Sequence, residues 1–218
     1  MEREQLSYIF SKIDHTLLST TATLDDLRIL CAEAEEAGAA SVCVPPCYIE
    51  DAKNLLKKVK VCTVIGFPNG YNTTASKVFE AKDAISRGAD EVDMVINVNQ
   101  VKNKNFAFVE EEIAAVRKAS EGKILKVIVE TCLLTEEEKI ALCGAVTRAG
   151  ADYIKTSTGF SKAGATIEDV RLFKKHIGEN VKIKAAGGIR SAEDALAYLS
   201  AGADRIGASA VIKNCLKK

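Results

Sequence analysis

The sequence predicts an α/β protein in which eight parallel strands alternate with helices and close into a single barrel. Three observations carry this. A turn of the form Gly-Ala-Ala/Asp recurs at Gly38-Ala39-Ala40, Gly88-Ala89-Asp90, Gly150-Ala151-Asp152 and Gly202-Ala203-Asp204, each time between a helical segment and a β-rich run. The repeats are spaced by 50, 62 and 52 residues. One strand–helix unit takes about 25–30 residues, so each interval holds two units. The skipped strands are visible as Val61-Cys62-Thr63-Val64-Ile65, Ile124-Leu125-Lys126-Val127-Ile128-Val129-Glu130 and Val181-Lys182-Ile183-Lys184-Ala185; with an opening strand at 12–16 the total is eight.

Each element has a local reason. Residues 2–10 place Leu6, Ile9 and Phe10 at helical spacing and predict a short N-terminal helix. A helix over 23–37 starts at Thr23, an N-cap with Asp26 in the capping-box position, and stops at Gly38. Further helices are expected over 48–58, 74–87, 106–120, 135–149, 166–176 and 191–201, with a short one at 209–216. The polar run 99–105 reads as an exposed connection. No linker, low-complexity tract or charge run divides the chain, so residues 1–218 are expected to form one (β/α)8, or TIM, barrel domain. An open doubly wound sheet is the alternative. The quarter repeat and the lack of GxGxxG after the first strand count against it.

Composition narrows the function. Apolar residues make up 47% and aromatics only 6%, with no Trp, which suits layered helix–strand packing. The formal net charge is zero, so neither nucleic acid nor an anionic membrane is an expected partner, and no apolar run reaches spanning length. The first residues carry charges of both signs and no signal-peptide core. Seven cysteines, an odd number without a CxxC pair, point to reduced thiols and a cytoplasmic location. With two histidines, His15 and His176, a histidine-rich metal site is not expected. Oligomeric state is left open: barrels of this kind often pair through outer helices to form homo-oligomers, but no diagnostic stripe stands out.

Barrel active sites form where strands end and the following loops begin. Asp14, Cys43, Asp93, Lys126, Glu130, Lys155 and Lys184 lie on the strands or at their ends, inside β-rich runs whose helix-facing side must be apolar. Their charges are therefore expected to point into the barrel, where lysines and acids can compensate one another. Each has a plainer reading. Asp14 and Asp93 serve equally as structural partners of lysines, Lys126 as a deep ion-pair member, Cys43 as an apolar filler, and Glu91 and Lys182 as residues near the strands' N-terminal ends. Lys155 by itself reads as a lysine snorkelling past a strand tip. Lys155 and Lys184 together are harder to set aside, because they end neighbouring strands. Two adjacent ammonium groups lower one another's affinity for protons, and a neutral lysine can attack a carbonyl.

A local anion site is expected beside them. Gly187-Gly188 follows the seventh strand, and Gly207-Ala208-Ser209 follows the eighth and leads into a short helix. Loops at these two places commonly hold phosphate, because glycines let backbone N–H groups approach the anion. Thr158-Gly159 after the sixth strand would complete the cradle. A lone Gly-Gly pair is usually only a tight turn; the paired placement is what raises its specificity.

These segments resemble a known family. Ile13-Asp14-His15-Thr16-Leu17-Leu18, Val64-Ile65-Gly66-Phe67-Pro68, Glu91-Val92-Asp93-Met94-Val95, Leu125-Lys126-Val127-Ile128-Val129-Glu130-Thr131, Tyr153-Ile154-Lys155-Thr156-Ser157-Thr158-Gly159-Phe160, Ile183-Lys184-Ala185-Ala186-Gly187-Gly188-Ile189-Arg190 and Arg205-Ile206-Gly207-Ala208-Ser209 are similar to the signature strands of the deoxyribose-phosphate aldolases, in order along nearly the whole chain. The resemblance implies a class I aldolase that cleaves 2-deoxy-D-ribose 5-phosphate to acetaldehyde and D-glyceraldehyde 3-phosphate without metal or other cofactor. It implies Lys155 as the Schiff-base lysine and Lys184 as the neighbour that lowers its pKa. Asp93 would be the proton donor and acceptor through a water, Lys126 a member of the same relay, and Asp14 its support. Cys43 would face the substrate region, and Gly159, Gly187, Gly188 and Ser209 would hold the phosphate. The loops 68–72 and 97–102 depart from the family pattern without touching these residues. Another Schiff-base aldolase or transaldolase-like enzyme, and a non-catalytic phosphosugar-binding barrel, are the competing expectations.

Overall fold

In the computed structural model, which describes residues 1–216, the strands close in sequence order, β1 pairing with β2 and so on round to β8, which returns to β1. They are β1 Ile13–Thr16, β2 Ser41–Val44, β3 Lys60–Ile65, β4 Glu91–Val95, β5 Ile124–Ile128, β6 Tyr153–Lys155, β7 Lys182–Ala186 and β8 Arg205–Ala208. All neighbours are parallel. The helices are α1 Arg3–Phe10, α2 Leu24–Ala37, α3 Ile49–Leu55, α4 Thr74–Ser86, α5 Val98–Lys102, α6 Phe106–Ala119, α7 Glu136–Arg148, α8 Ile167–His176, α9 Ala192–Ala201 and α10 Val211–Leu216. None of them is long and apolar enough to cross a membrane.

The alternation along each strand separates two environments. Val42, Val61, Val92, Met94, Leu125, Val127, Ile154, Ile183 and Ile206 point outward and belong to the main apolar cluster, between barrel and helices. The inward positions are mostly polar, and a small separate cluster of Cys43, Cys62 and Val64, with Leu18 and Phe67 against it, is the lumen's apolar part. The hydrophobic core thus sits around the barrel, leaving its interior for charges.

Capping explains several boundaries. The Thr23 side chain accepts the Asp26 N–H at 3.2 Å and the Asp26 carboxylate takes the Thr23 N–H at 2.8 Å, the reciprocal box expected for α2. Gly38 follows with φ of 66°, in the left-handed region where a missing Cβ removes the steric penalty. Three expectations change. The helix expected over 48–58 begins as a 3-10 turn at Pro46–Tyr48 and ends at Leu55, where Glu35 accepts the N–H groups of Lys57, Lys58 and Val59 and draws the chain out of the helix. The run 99–105 is not merely an exposed connection. It overlaps α5, capped by the Asn97 side chain and anchored by buried Val101, and five residues are too few to show a period. The fifth strand stops at Ile128, because Glu130 adopts φ of 58°.

Candidate active site

Strand register brings the sequence-predicted charges together. Asp93 lies beside Lys126 across β4 and β5, and Lys155 lies beside Lys184 across β6 and β7. Asp93 is fully buried and three ammonium groups converge on it: Oδ2 accepts from Lys155 at 2.8 Å and from Lys184 at 2.7 Å, and Oδ1 accepts from Lys126 at 2.8 Å. Asp14 braces the same set from β1. Its Oδ2 lies 2.5 Å from Lys184 and 3.5 Å from Lys126. Its other oxygen accepts from Ser41 at 2.8 Å and from Arg205 at 2.6 Å.

Below this layer Glu91 reaches Lys126 at 2.5 Å and Arg205 at 3.3 Å. Glu91, expected near the N-terminal end of its strand, is fully buried there as part of the barrel floor. Lys182 lies exposed at the start of β7, with its ammonium 5.8 Å from the Tyr153 ring centre. Arg205, Tyr153 and Cys62 complete the lumen and were not singled out from the sequence. Arg205 donates to Tyr153 Oη at 3.4 Å, and the Cys62 thiol lies 3.2 Å from Asp93. Alternation on β8 held the signal for Arg205, which shares the inward face of Gly207.

Electrostatics follow from this packing. Burial pushes the Asp93 carboxyl up, but Lys126, Lys155 and Lys184 outweigh it and hold its pKa well below the carboxylate range. Asp14 is likewise lowered: burial opposes, and Lys126, Lys184 and Arg205 prevail. Burial disfavours the Lys184 ammonium, yet Asp14 and Asp93 raise its pKa above the ordinary lysine value, and Lys126 is raised against burial by Asp14, Asp93, Cys62 and Glu91. Lys184 therefore keeps its proton. The donor atoms of Cys43, Cys62 and Asp93, and those of Asp14, Cys62 and Glu91, come within 4.8 Å of one another, spacings open to a metal ion. Lys126 already contacts Asp14, Cys62, Glu91 and Asp93, so positive charge is supplied to both groups by the chain itself.

Above the charges opens a cavity of about 500 Å³ lined by Lys155, Thr158, Gly159, Gly187, Gly188, Gly207 and Ser209, together with Leu18, Ser19, Thr20, Phe160 and Arg190. Lys155 is the only lumen lysine among its lining residues. Gly187 and Gly188 have φ of 87° and 83°, which lets the turn after β7 run along the cavity wall. Gly207 serves differently: a Cβ there would lie 2.9 Å from the Ala186 Cβ and 3.1 Å from the Lys184 Cε, so glycine leaves room for Lys184. Thr158 lines the cavity, but both its N–H and its hydroxyl donate to Glu130. Cys43 is not a lining residue; it packs beneath Leu18 and Phe67 in the apolar cluster.

Comparison with known proteins agrees with this arrangement. The profile of the DeoC/LacD family aldolases matches residues 9–216. The chain is 54% identical over 209 residues to a deoxyribose-phosphate aldolase of Clostridioides difficile strain 630, covering 95% of each chain. It is 57% identical over 206 residues to one of Streptococcus pyogenes serotype M28, covering 94% of this chain and 92% of the relative. Among solved structures, the tetrameric deoxyribose phosphate aldolase of Aeropyrum pernix superposes with a TM-score of 0.88 at 34% identity, covering 96% of this chain and 92% of that one. A parallel barrel with a lysine–aspartate lumen, matched over nearly its full length by these sequences, places the chain in the DeoC/LacD family of aldolases, which are carbon–carbon lyases.

Proposed function

We propose that the chain, acting as one catalytic domain, reversibly cleaves 2-deoxy-D-ribose 5-phosphate to acetaldehyde and D-glyceraldehyde 3-phosphate through a Schiff base on Lys155. The observation that carries this reading is the position of Lys155. It lines the cavity while sharing one oxygen of Asp93 with Lys184. Three lumen carboxylates, Asp14, Glu91 and Asp93, face four cations, Lys126, Lys155, Lys184 and Arg205. Of the three lysines in this set, Lys155 is the one that lines the cavity and so can meet a substrate.

The amine of Lys155 attacks the aldehyde carbon of the open-chain sugar, and loss of water gives an iminium. Asp93, through a water and beside charged Lys184, takes the proton of the hydroxyl on the third carbon. The bond between the second and third carbons breaks, its electron pair moving into the iminium. Glyceraldehyde 3-phosphate leaves, and the remaining two-carbon enamine is protonated, then hydrolysed to release acetaldehyde and Lys155. Lys126 and Asp14 hold Asp93 and Lys184 in place. The loops bearing Gly159, Gly187, Gly188, Gly207 and Ser209 bind the phosphate, and that remote binding energy orients the reacting end. Cys43 shapes the wall under Leu18 without chemistry of its own. The chemistry uses no metal or other cofactor in this scheme.

The names of the relatives support the substrate, and the tetrameric relative supports a homo-oligomer. Seven cysteines, an odd number without a CxxC pair, support a reducing, cytoplasmic setting. Borohydride reduction in the presence of acetaldehyde, followed by peptide mass mapping, tests the assignment. An ethyl group on Lys155 is expected. An adduct on another lysine, or none, would overturn it.

A further inference from the structure

Glu130 is a buried carboxylate to which the reaction scheme gives no task. It lies just past the end of β5, on the face of Lys126, with φ of 58° and ψ of 65°. A left-handed conformation is unfavourable for a residue with a side chain, and it persists where surrounding contacts demand it. Here the contacts are with the loop that follows the Schiff-base lysine. Both carboxylate oxygens accept the Thr158 N–H at 3.3 Å, and one accepts the Thr158 hydroxyl at 2.5 Å. The Thr158 oxygen in turn accepts the Phe160 N–H at 3.0 Å. One backbone bond, Thr131 N–H to Thr156 carbonyl at 2.9 Å, fastens the same two loops from the other side.

The donors of Thr158 are thus spent inside the protein, and Gly159 is the residue they hold at the cavity. We infer that Glu130 is a positioning residue that locks the Thr158-Gly159 edge of the cavity and so sets the enzyme's preference for a phosphorylated over an unphosphorylated substrate. The inference rests on the aldolase reading above and deepens it. A carboxylate suits the task because two acceptor oxygens can take both donors of one threonine. Glutamine keeps one acceptor oxygen but loses the charge, and its NH2 group sets a donor against the Thr158 N–H.

The test uses the full chain and the variants Glu130→Gln and Thr158→Val, with 2-deoxyribose 5-phosphate as substrate and acetaldehyde–borohydride trapping at Lys155 as the phosphate-free readout. Loss of a charge-assisted contact predicts a KM for the phosphosugar raised about tenfold in Glu130→Gln, with kcat and the trapping rate within about twofold of the parent. Thr158→Val retains the N–H contact and is expected to raise the same KM less. If both act through one contact, the double variant is no worse than Glu130→Gln alone. Should Glu130→Gln fail to fold, a selective rise in KM in Thr158→Val supports the inference and an unchanged KM overturns it. Equal losses in KM and trapping would also overturn it, placing Glu130 in the chemistry of Lys155. If the parent enzyme traps nothing, the aldolase reading falls and this inference with it; trapping in the parent without a selective KM change removes only the role of Glu130.

Discussion

Asp93 is the residue on which the lumen turns, since its two oxygens accept from Lys126, Lys155 and Lys184. Asn keeps its shape but neither its charge nor its second acceptor. Asp93→Asn should lower kcat by about 10²–10⁴-fold, the usual contribution of a positioned proton-transfer group. The same change leaves buried ammonium groups short of a counter-charge and should cost about 3–5 kcal/mol of stability. Steady-state kinetics and urea unfolding check the two halves separately; unchanged kcat would remove Asp93 from the reaction. At this scale the sequence was legible where alternation placed charges on one face, as for Lys126, Lys155 and Lys184. It stopped short where a pairwise argument left out the carboxylates that face the same lysines. Two ammonium groups alone would weaken each other, but Asp14 and Asp93 raise Lys184, which no reading of two strands could establish.

Among the elements, α4 and α6 carry a second ion pair outside the lumen. Lys77 and Glu112, both fully buried, meet at 2.8 Å; the ammonium also donates to the Val95 carbonyl at 2.8 Å, and the carboxylate accepts the Asn97 N–H at 3.2 Å. The pair fastens both helices to the end of β4, two residues beyond Asp93. Burial pushes Lys77 below the usual lysine range and Glu112 above the usual carboxylate range, in each case against the partner's attraction. Lys77→Met should therefore cost about 3–5 kcal/mol by stranding Glu112, whereas Lys77→Met with Glu112→Leu should recover most of it. A double-mutant cycle by urea unfolding measures the coupling, and additive losses would contradict it. Sequence periodicity located both helices, but a lysine and a glutamate 35 positions apart carry no sign that they meet. The ends of elements were hidden for a related reason: Glu35 stops α3 through tertiary bonds that its own segment does not reveal.

For the whole molecule, the lumen charges link stability to pH. Asp14 and Asp93 have folded pKa values below their ordinary 3.8. Their contribution is fully present above 3.8. It is lost as pH falls through the lower folded values, because the unfolded chain then binds more protons. Lys184, raised above its ordinary 10.5, acts in the opposite sense: its contribution is present below 10.5 and is lost as pH rises through the higher folded value. Unfolding free energy should drop steeply below pH 3.8, and less steeply in Asp93→Asn, which lacks one of the two groups. Urea titrations across the acid range measure both slopes, and equal slopes would show that Asp93 is not part of the linkage.

The sequence by itself determined the number and order of the strands, the single closed barrel and the identity of the inward charges other than Arg205. Those follow from local rules: a two-residue alternation, capping side chains, and glycines at helix ends. Only the tertiary structure decided which charge serves which. Barrel closure sets β1 against β8 and brings Asp14 within reach of Lys184 and Arg205, separated by 170 and 191 positions in the chain. It also showed that Thr158 is turned inward to Glu130, leaving glycine backbone and Ser209 along that wall of the cavity. The reason is physical: a side chain's direction follows from its own backbone, but its charge state and partners follow from every strand that faces the same lumen.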